Sequence, residues 1–150
     1  MERRAIDFHS WDEVLSDVRG LERSGYKLVG DWHLGQVCDH LTISMTSTMD
    51  GFDSQLPWLV RRILGPMFFK KTMRTRSIKA GYKAPPQFIP SPDVEDHHSV
   101  ETFKQVVERY QSFSGPYPEH PAFGRLDSEQ WRDFHLIHAS HHLSFLVPKQ

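Results

Sequence analysis

Cysteine is nearly absent from this sequence: Cys38 is the single one in 150 residues. One cysteine can neither close an internal disulfide nor build a thiolate zinc site, which excludes the disulfide-stapled secreted scaffolds and the zinc fingers. Any metal chemistry must then draw on histidine and carboxylate. Long apolar runs are missing as well. No window approaches the roughly 18 uninterrupted apolar residues of a membrane span. The N-terminal MERRAIDFHSW has no apolar core for a secretory signal to use, so no transmembrane segment and a cytoplasmic location are expected. Period-two alternation is not convincing anywhere, and neither an internal repeat nor a low-complexity tract interrupts the chain. The length fits one ordinary domain over residues 1–150, with a core over about 10–147.

What is present in quantity is aromatic side chains and histidine. Four Trp and ten Phe need burial, which argues against global disorder. The ten His are roughly three times average usage. Ser10-Trp11-Asp12-Glu13 has the form of a capping box, and Trp11, Val14, Leu15, Val18 and Leu21 follow at helical spacing, predicting a first helix over about 10–24. A second, over about 33–50, is marked by the stripe Leu34, Val37, Leu41, Met45 and Thr48, with Gly51 as terminator. A third starts at Ser99, carries Phe103, Val106, Val107, Tyr110 and Phe113, and ends at Gly115-Pro116. Asp127 with Gln130 makes another capping box, after which Trp131, Phe134, Ile137 and Phe145 mark the last helix, ending before Pro148.

Between the second and third helices, residues 52–95 read as a long basic crossover. They hold eight Lys and Arg, six Pro, and no acidic residue from Ser54 through Pro92. Pro57 suits the first turn of a short helix to about Leu64, Gly65-Pro66 should break it, and Met67–Thr75 should add a turn or two. Trp58, Met67 and Phe69 are expected to cover the core. Four principal helices joined by two short connections and one long crossover predict an all-α fold, a four-helix bundle.

The last helix carries His135, His138, His141 and His142 within an arc of about 120°, alongside apolar residues, so these rings face inward. An i, i+4 pair such as His138 and His142 can aim both rings at one cation from a rigid element. Spacing alone leaves 135/138 and 138/141 open beside 138/142. A third ligand has to come from another helix, and His40 on the second is the best placed, bordering the Leu34/Val37/Leu41 stripe. His9, His97, His98 and His120 read as terminal or loop positions. Cys38 sits about 200° round the helix from His40, cannot share its metal, and reads as a small core residue. Asp39 and Asp133 both point away from the inward arc, so no general base is identified.

Trp32-His33-Leu34-Gly35-Gln36-Val37-Cys38-Asp39-His40-Leu41 resembles the W-S-L-G-Q-hydrophobic-x-x-H-L segment of the DinB/YfiT-like superfamily. His138-Ala139-Ser140-His141-His142 resembles its closing H-x-x-x-H. More closely, His120-Pro121-Ala122-Phe123-Gly124, Trp131 and the run His138–Leu143 resemble a branch of that superfamily which is a domain family of unknown function. The resemblance implies a four-helix bundle holding a divalent metal through His40, His138 and His142. It also implies an activity such as thiol S-transfer with a low-molecular-weight thiol, or a related isomerisation. Many members continue H-R-G-Q after the final ligand, where this chain has Leu143-Ser144-Phe145, so the Arg that would contact an anionic substrate is missing and a different ligand is implied.

Three neutral imidazoles leave a fourth position for water or substrate, the open arrangement of catalytic sites. The cation would lower the pKa of a water or thiol placed there. His141 and His135 are the candidates for orienting a ligand or shuttling a proton. Zn, Ni and Fe are not distinguished by such a set. A small-molecule substrate is expected and nucleic acid is disfavoured. A homodimer is a common arrangement for such a bundle. The basic crossover is a candidate lid over the metal site, with a membrane-surface contact and a solvated loop as the other readings. The competing functional reading is a non-catalytic, metal-binding or stress-associated bundle acting as a binding or oligomeric module.

Overall fold

The computed structural model describes residues 2–149. Its first helix, α1 (Trp11–Ser24), opens on the expected capping box: Ser10 Oγ accepts the Glu13 amide, and the Glu13 carboxylate returns to the Ser10 amide at 3.2 Å. Trp11, Val14, Val18 and Leu21 form its buried stripe, one residue per turn or so of the helix. Gly25, with φ of 72°, takes the chain out of α1 in a conformation that a side chain would resist.

The chain then makes a short strand, β1 (Tyr26–Leu28), paired antiparallel with β2 (Leu146–Pro148) at the other end of the sequence. This sheet was not foreseen. Three residues are too few for alternation to register as a pattern, and the pairing joins segments more than a hundred residues apart.

Helix α2 (Leu34–Asp50) begins where the sequence predicts, and distant groups help satisfy its free amides. Tyr26 Oη accepts the Leu34 amide at 2.9 Å and donates to Asp96 Oδ2 at 2.7 Å. Asp96 Oδ1 accepts the Gly35 amide at 2.7 Å and His33 Nδ1–H at 2.6 Å. Burial opposes the charge on Asp96, but these hydrogen bonds outweigh it and hold the carboxyl below its ordinary range. Asp96 is also the first residue of α4 (Asp96–Ser112), so one carboxylate fastens the starts of two helices. That helix opens three residues before the predicted Ser99, which places His97 and His98 in its first turn rather than in a loop.

The crossover differs most from expectation. Gly65-Pro66 does not break it. Helical backbone runs from Trp58 to Thr75, through a π-helical turn (Val60–Leu64) into α3 (Gly65–Thr75). The Gly65 amide bonds to Val60 O, five residues back, so the turn widens just ahead of the proline ring that would otherwise crowd it. Glycine is required at 65 because a Cβ there would lie 1.8 Å from Ala122 O. The backbone of α3 thus rests directly on the tight loop closed by the paired hydrogen bonds of His120 and Gly124, at 2.8 and 3.0 Å. Phe69 enters a cluster with Leu126 and Trp131, as expected of a core-covering residue. Trp58 and Met67, expected to do the same, are instead 65% and 64% exposed; Met67 lies between Gly65 and Phe69, whose side of the helix is the buried one, and faces away from it. A 3-10 turn (Pro86–Phe88) follows before α4.

Helix α5 (Ser128–Leu143) opens on the predicted Asp127/Gln130 capping box but stops at Leu143, so Phe145 lies outside it in the turn leading to β2. The main core gathers Val14, Val18 and Leu21 of α1, Leu34, Val37 and Leu41 of α2, Phe103 and Val107 of α4, and Leu136 and Leu143 of α5. Each such side chain contributes roughly 1.5–3 kcal/mol by leaving water. The N-terminal segment is tied onto the end of α5: the Phe8 amide donates to Ser140 Oγ at 2.9 Å, and Arg4 holds Asp17 at 2.7 and 2.8 Å while donating to Leu143 O. The protein is mostly helical, with one two-stranded sheet among the described residues.

Candidate metal centre

The four histidines of α5 do not act as one group. His138 and His142, one turn apart, meet His40 from α2. His142 Nε2 lies 3.0 Å from His138 Nε2, and His40 Nε2 lies 3.1 Å from the same atom. All three donor atoms fall within 4.8 Å of one another. His135 is elsewhere: it is buried in the core, 3.0 Å from Thr48 Oγ1 and stacked on Trp131. His141 lies at the edge, with Arg3 Nη1 donating to its Nδ1 at 3.2 Å. Its ring packs edge-on against His142 at 4.8 Å, but neither His141 nor His135 hydrogen-bonds to a ring nitrogen of the trio.

The orientation of each ring has a local cause. His40 Nδ1 donates to Phe88 O at 2.7 Å, which leaves the lone pair on Nε2 facing the other two rings. Trp32 lies parallel to His142 at 5.5 Å and tilts against His40 at 5.0 Å. Phe134 stacks on His138 at 5.9 Å. Aromatic surfaces therefore wall the nitrogens on two sides. His138 Nδ1 is buried with no hydrogen-bond partner among the described residues, so on that side packing rather than a polar contact holds the ring.

Burial lowers the pKa of all three. For His138 the effect is strong and is reinforced by His142 and His40; for His142 it is reinforced by His40; for His40 the bond to Phe88 O opposes it in part. At neutral pH the three rings are uncharged and have lone pairs to offer.

This donor set suits a divalent cation. Imidazole nitrogens at about 2.0–2.1 Å from a tetrahedral ion stand about 3.3 Å apart, and two of the three separations here lie within a few tenths of an ångström of that value. Without a cation, three converging nitrogens share too few protons to avoid facing lone pairs. No carboxylate joins the group among the described residues. Cys38 is fully buried in the main core, and burial pushes its thiol pKa strongly upward, in keeping with a packing role.

Two parts of the site lay outside the reach of the sequence. The Phe88 carbonyl is a backbone group that any residue carries, so no side-chain pattern marks it. Trp32 was visible as part of a motif, but its stacking on two histidines was not. The crossover does reach the site, through Phe88 at His40 and through Ile78 O, which accepts from Arg3 at 3.5 and 3.4 Å. His120, read as a loop residue, is one, yet it is a structural member of that loop: its Nδ1 accepts the amides of Ala122 and Phe123, and Phe123 stacks on its ring at 3.9 Å.

Fold and site together define a largely helical protein whose interior brings three histidines from two helices to one point. The chain belongs to the DUF1569 family, described as a protein family of unknown function, whose model matches residues 1–149. No curated protein and no solved structure matches it.

Proposed function

We propose that His40, His138 and His142 hold a divalent cation, and that the protein is a metal-dependent enzyme of the DinB-like superfamily, with α1, α2, α4 and α5 as its four-helix bundle. The single observation that carries this reading is the convergence of three neutral Nε2 atoms, one of them fixed by the bond from His40 Nδ1 to Phe88 O. When bound, a Zn, Ni or Fe ion supplies Lewis acidity, which makes a thiol or water offered as fourth donor acidic near neutral pH. The leading reaction is thiol S-transfer, in which the sulfur of a low-molecular-weight thiol would bond to an electrophilic carbon of a small-molecule substrate as that carbon's bond to a leaving group breaks, the thiol proton passing to water.

The chain's own residues have definable tasks in such a reaction. Trp32 and Phe134 shield the nitrogens from bulk water. Arg3, beside His141, puts a guanidinium two side chains from His142 and can hold an anionic group of the substrate, which the Leu143-Ser144-Phe145 tail cannot. His141, edge-on to His142, has its pKa lowered to about 4, first by burial and then by Arg3, so it stays neutral at pH 7 and is suited to orienting the Arg3 guanidinium through Nδ1 rather than to taking up a proton.

A non-catalytic metal-binding module is the alternative, and the lack of a carboxylate in the group favours it. Cobalt(II) reconstitution separates the two. In an enzyme of this kind the visible bands of the cobalt protein shift on addition of a low-molecular-weight thiol, and the loaded protein transfers that thiol to an electrophile. Bands that ignore thiol, with no turnover, would favour the module.

A further inference from the structure

Nine large hydrophobic side chains are exposed among the described residues, and six of them crowd into one stretch: Leu56, Trp58, Leu59, Ile63, Leu64 and Met67. The same helix carries Arg62, Lys70, Lys71 and Arg74 on its exposed side, with Arg61 half-buried. None of these five cations forms an ion pair among the described residues. The inner side, Gly65, Phe69 and Thr72, is the side buried against the body. An apolar half followed by a basic half thus faces outward along one continuous helix, in a segment with no acidic residue from Ser54 through Pro92.

We propose that this face of residues 56–74 docks on an anionic lipid bilayer, with the apolar side chains entering the headgroup boundary and the Lys and Arg side chains meeting lipid phosphates and carboxylates. Charge complementarity selects this occupant. An interfacial helix combines Trp and aliphatic groups with adjacent cations in this way. A second copy of the chain is a poorer fit, since a two-fold contact would set the same unpaired cations against each other with no acidic residue on the segment to neutralise them. A nucleic acid would use the cations but has no use for Leu59, Ile63, Leu64 and Met67, which cannot stack on bases as aromatic rings do. No helix is long and apolar enough to cross a membrane among the described residues, so the contact is peripheral.

The test is co-sedimentation of the full chain with vesicles of phosphatidylcholine alone and with about one-third phosphatidylserine, at low and high salt. The proposal expects at least about tenfold tighter binding to the anionic vesicles, weakened by salt. It also expects a blue shift of tryptophan emission that is lost in Trp58→Phe. Trp58 is the reporter because Trp11 and Trp131 are buried and Trp32 half-buried. The triple variant L59S/I63S/M67S and the double variant K70E/K71E should each lower anionic-vesicle binding by at least about tenfold. Both change only exposed side chains, and an unaltered far-ultraviolet circular dichroism spectrum confirms that they fold. Four results overturn the proposal: no anionic-vesicle binding by the wild type, equal binding to both vesicle types, a dimer in solution that L59S/I63S/M67S abolishes, or binding of a single-stranded oligonucleotide in preference to the vesicles.

Discussion

His135 is buried on every side, and lowering the pH tests what that burial does. Its pKa is lowered to about 3, first by burial and then by His120 nearby, against an ordinary value of 6.5. The folded protein therefore resists protonating a ring that the unfolded chain protonates readily. The unfolded state binds more protons at any pH between the two values, so stability is complete above about 6.5 and falls as pH drops toward 3. Each unit of separation is worth about 1.4 kcal/mol. Between about pH 7 and about pH 5, His135 alone should cost on the order of 2 kcal/mol, and the loss continues until the folded pKa is reached. His120, also lowered to about 3 by burial, and the trio add in the same direction. The assay must therefore isolate one residue. Urea denaturation of wild type and His135→Gln at both pH values does so, because the glutamine keeps a polar group for Thr48 Oγ1 without titrating. The variant should lose about 2 kcal/mol less than the wild type over that interval, whatever its stability at neutral pH. Equal losses in the two proteins would refute the reasoning.

Gly65→Ala should destabilise the protein by about 3 kcal/mol, the upper end of what overpacking costs, because a Cβ 1.8 Å from Ala122 O forces α3 off the 120–124 loop and opens the Phe69–Leu126–Trp131 cluster; thermal melting reads it, and an unchanged midpoint would contradict the close approach. Asp96→Ala should cost about 2–3 kcal/mol and Asp96→Asn less, since the amide keeps one acceptor oxygen for Gly35 or Tyr26; equilibrium denaturation checks the order, and hydrogen exchange should locate the loss at the start of α2.

Much of this architecture was legible because it is local. The capping boxes at Ser10/Glu13 and Asp127/Gln130 announce α1 and α5, and the apolar stripes of α1, α2 and α4 sit on the faces that pack. The interval of four between His138 and His142 is local too, but spacing leaves 135/138 and 138/141 open beside it, and only the resemblance to the DinB/YfiT-like superfamily points to that pair. His40 required a step between helices, and the stripe beside it supplied the direction. What escaped notice depends on partners remote in sequence or on backbone atoms: the β1–β2 pair, the Asp96 carboxylate at the start of α2, and the Phe88 carbonyl on His40. The π turn before Pro66 is a different case. A Gly-Pro pair ordinarily ends a helix, and here tertiary packing on the 120–124 loop coincides with a turn wide enough to admit the ring. Of the α5 histidines expected to face inward, His141 lies at the edge instead, and an arc cannot tell His135, which bonds to Thr48, from His138, which meets His40.

Metal content of untagged protein, by mass spectrometry, tests the central claim most directly when wild type is compared with His40→Ala, His138→Ala and His135→Ala. The account predicts about one divalent ion per chain in the wild type and in folded His135→Ala, and its loss in both His40→Ala and His138→Ala. An ion that survives both of the latter substitutions, or a wild type that takes up none even on reconstitution with Zn, Ni or Fe, would contradict it.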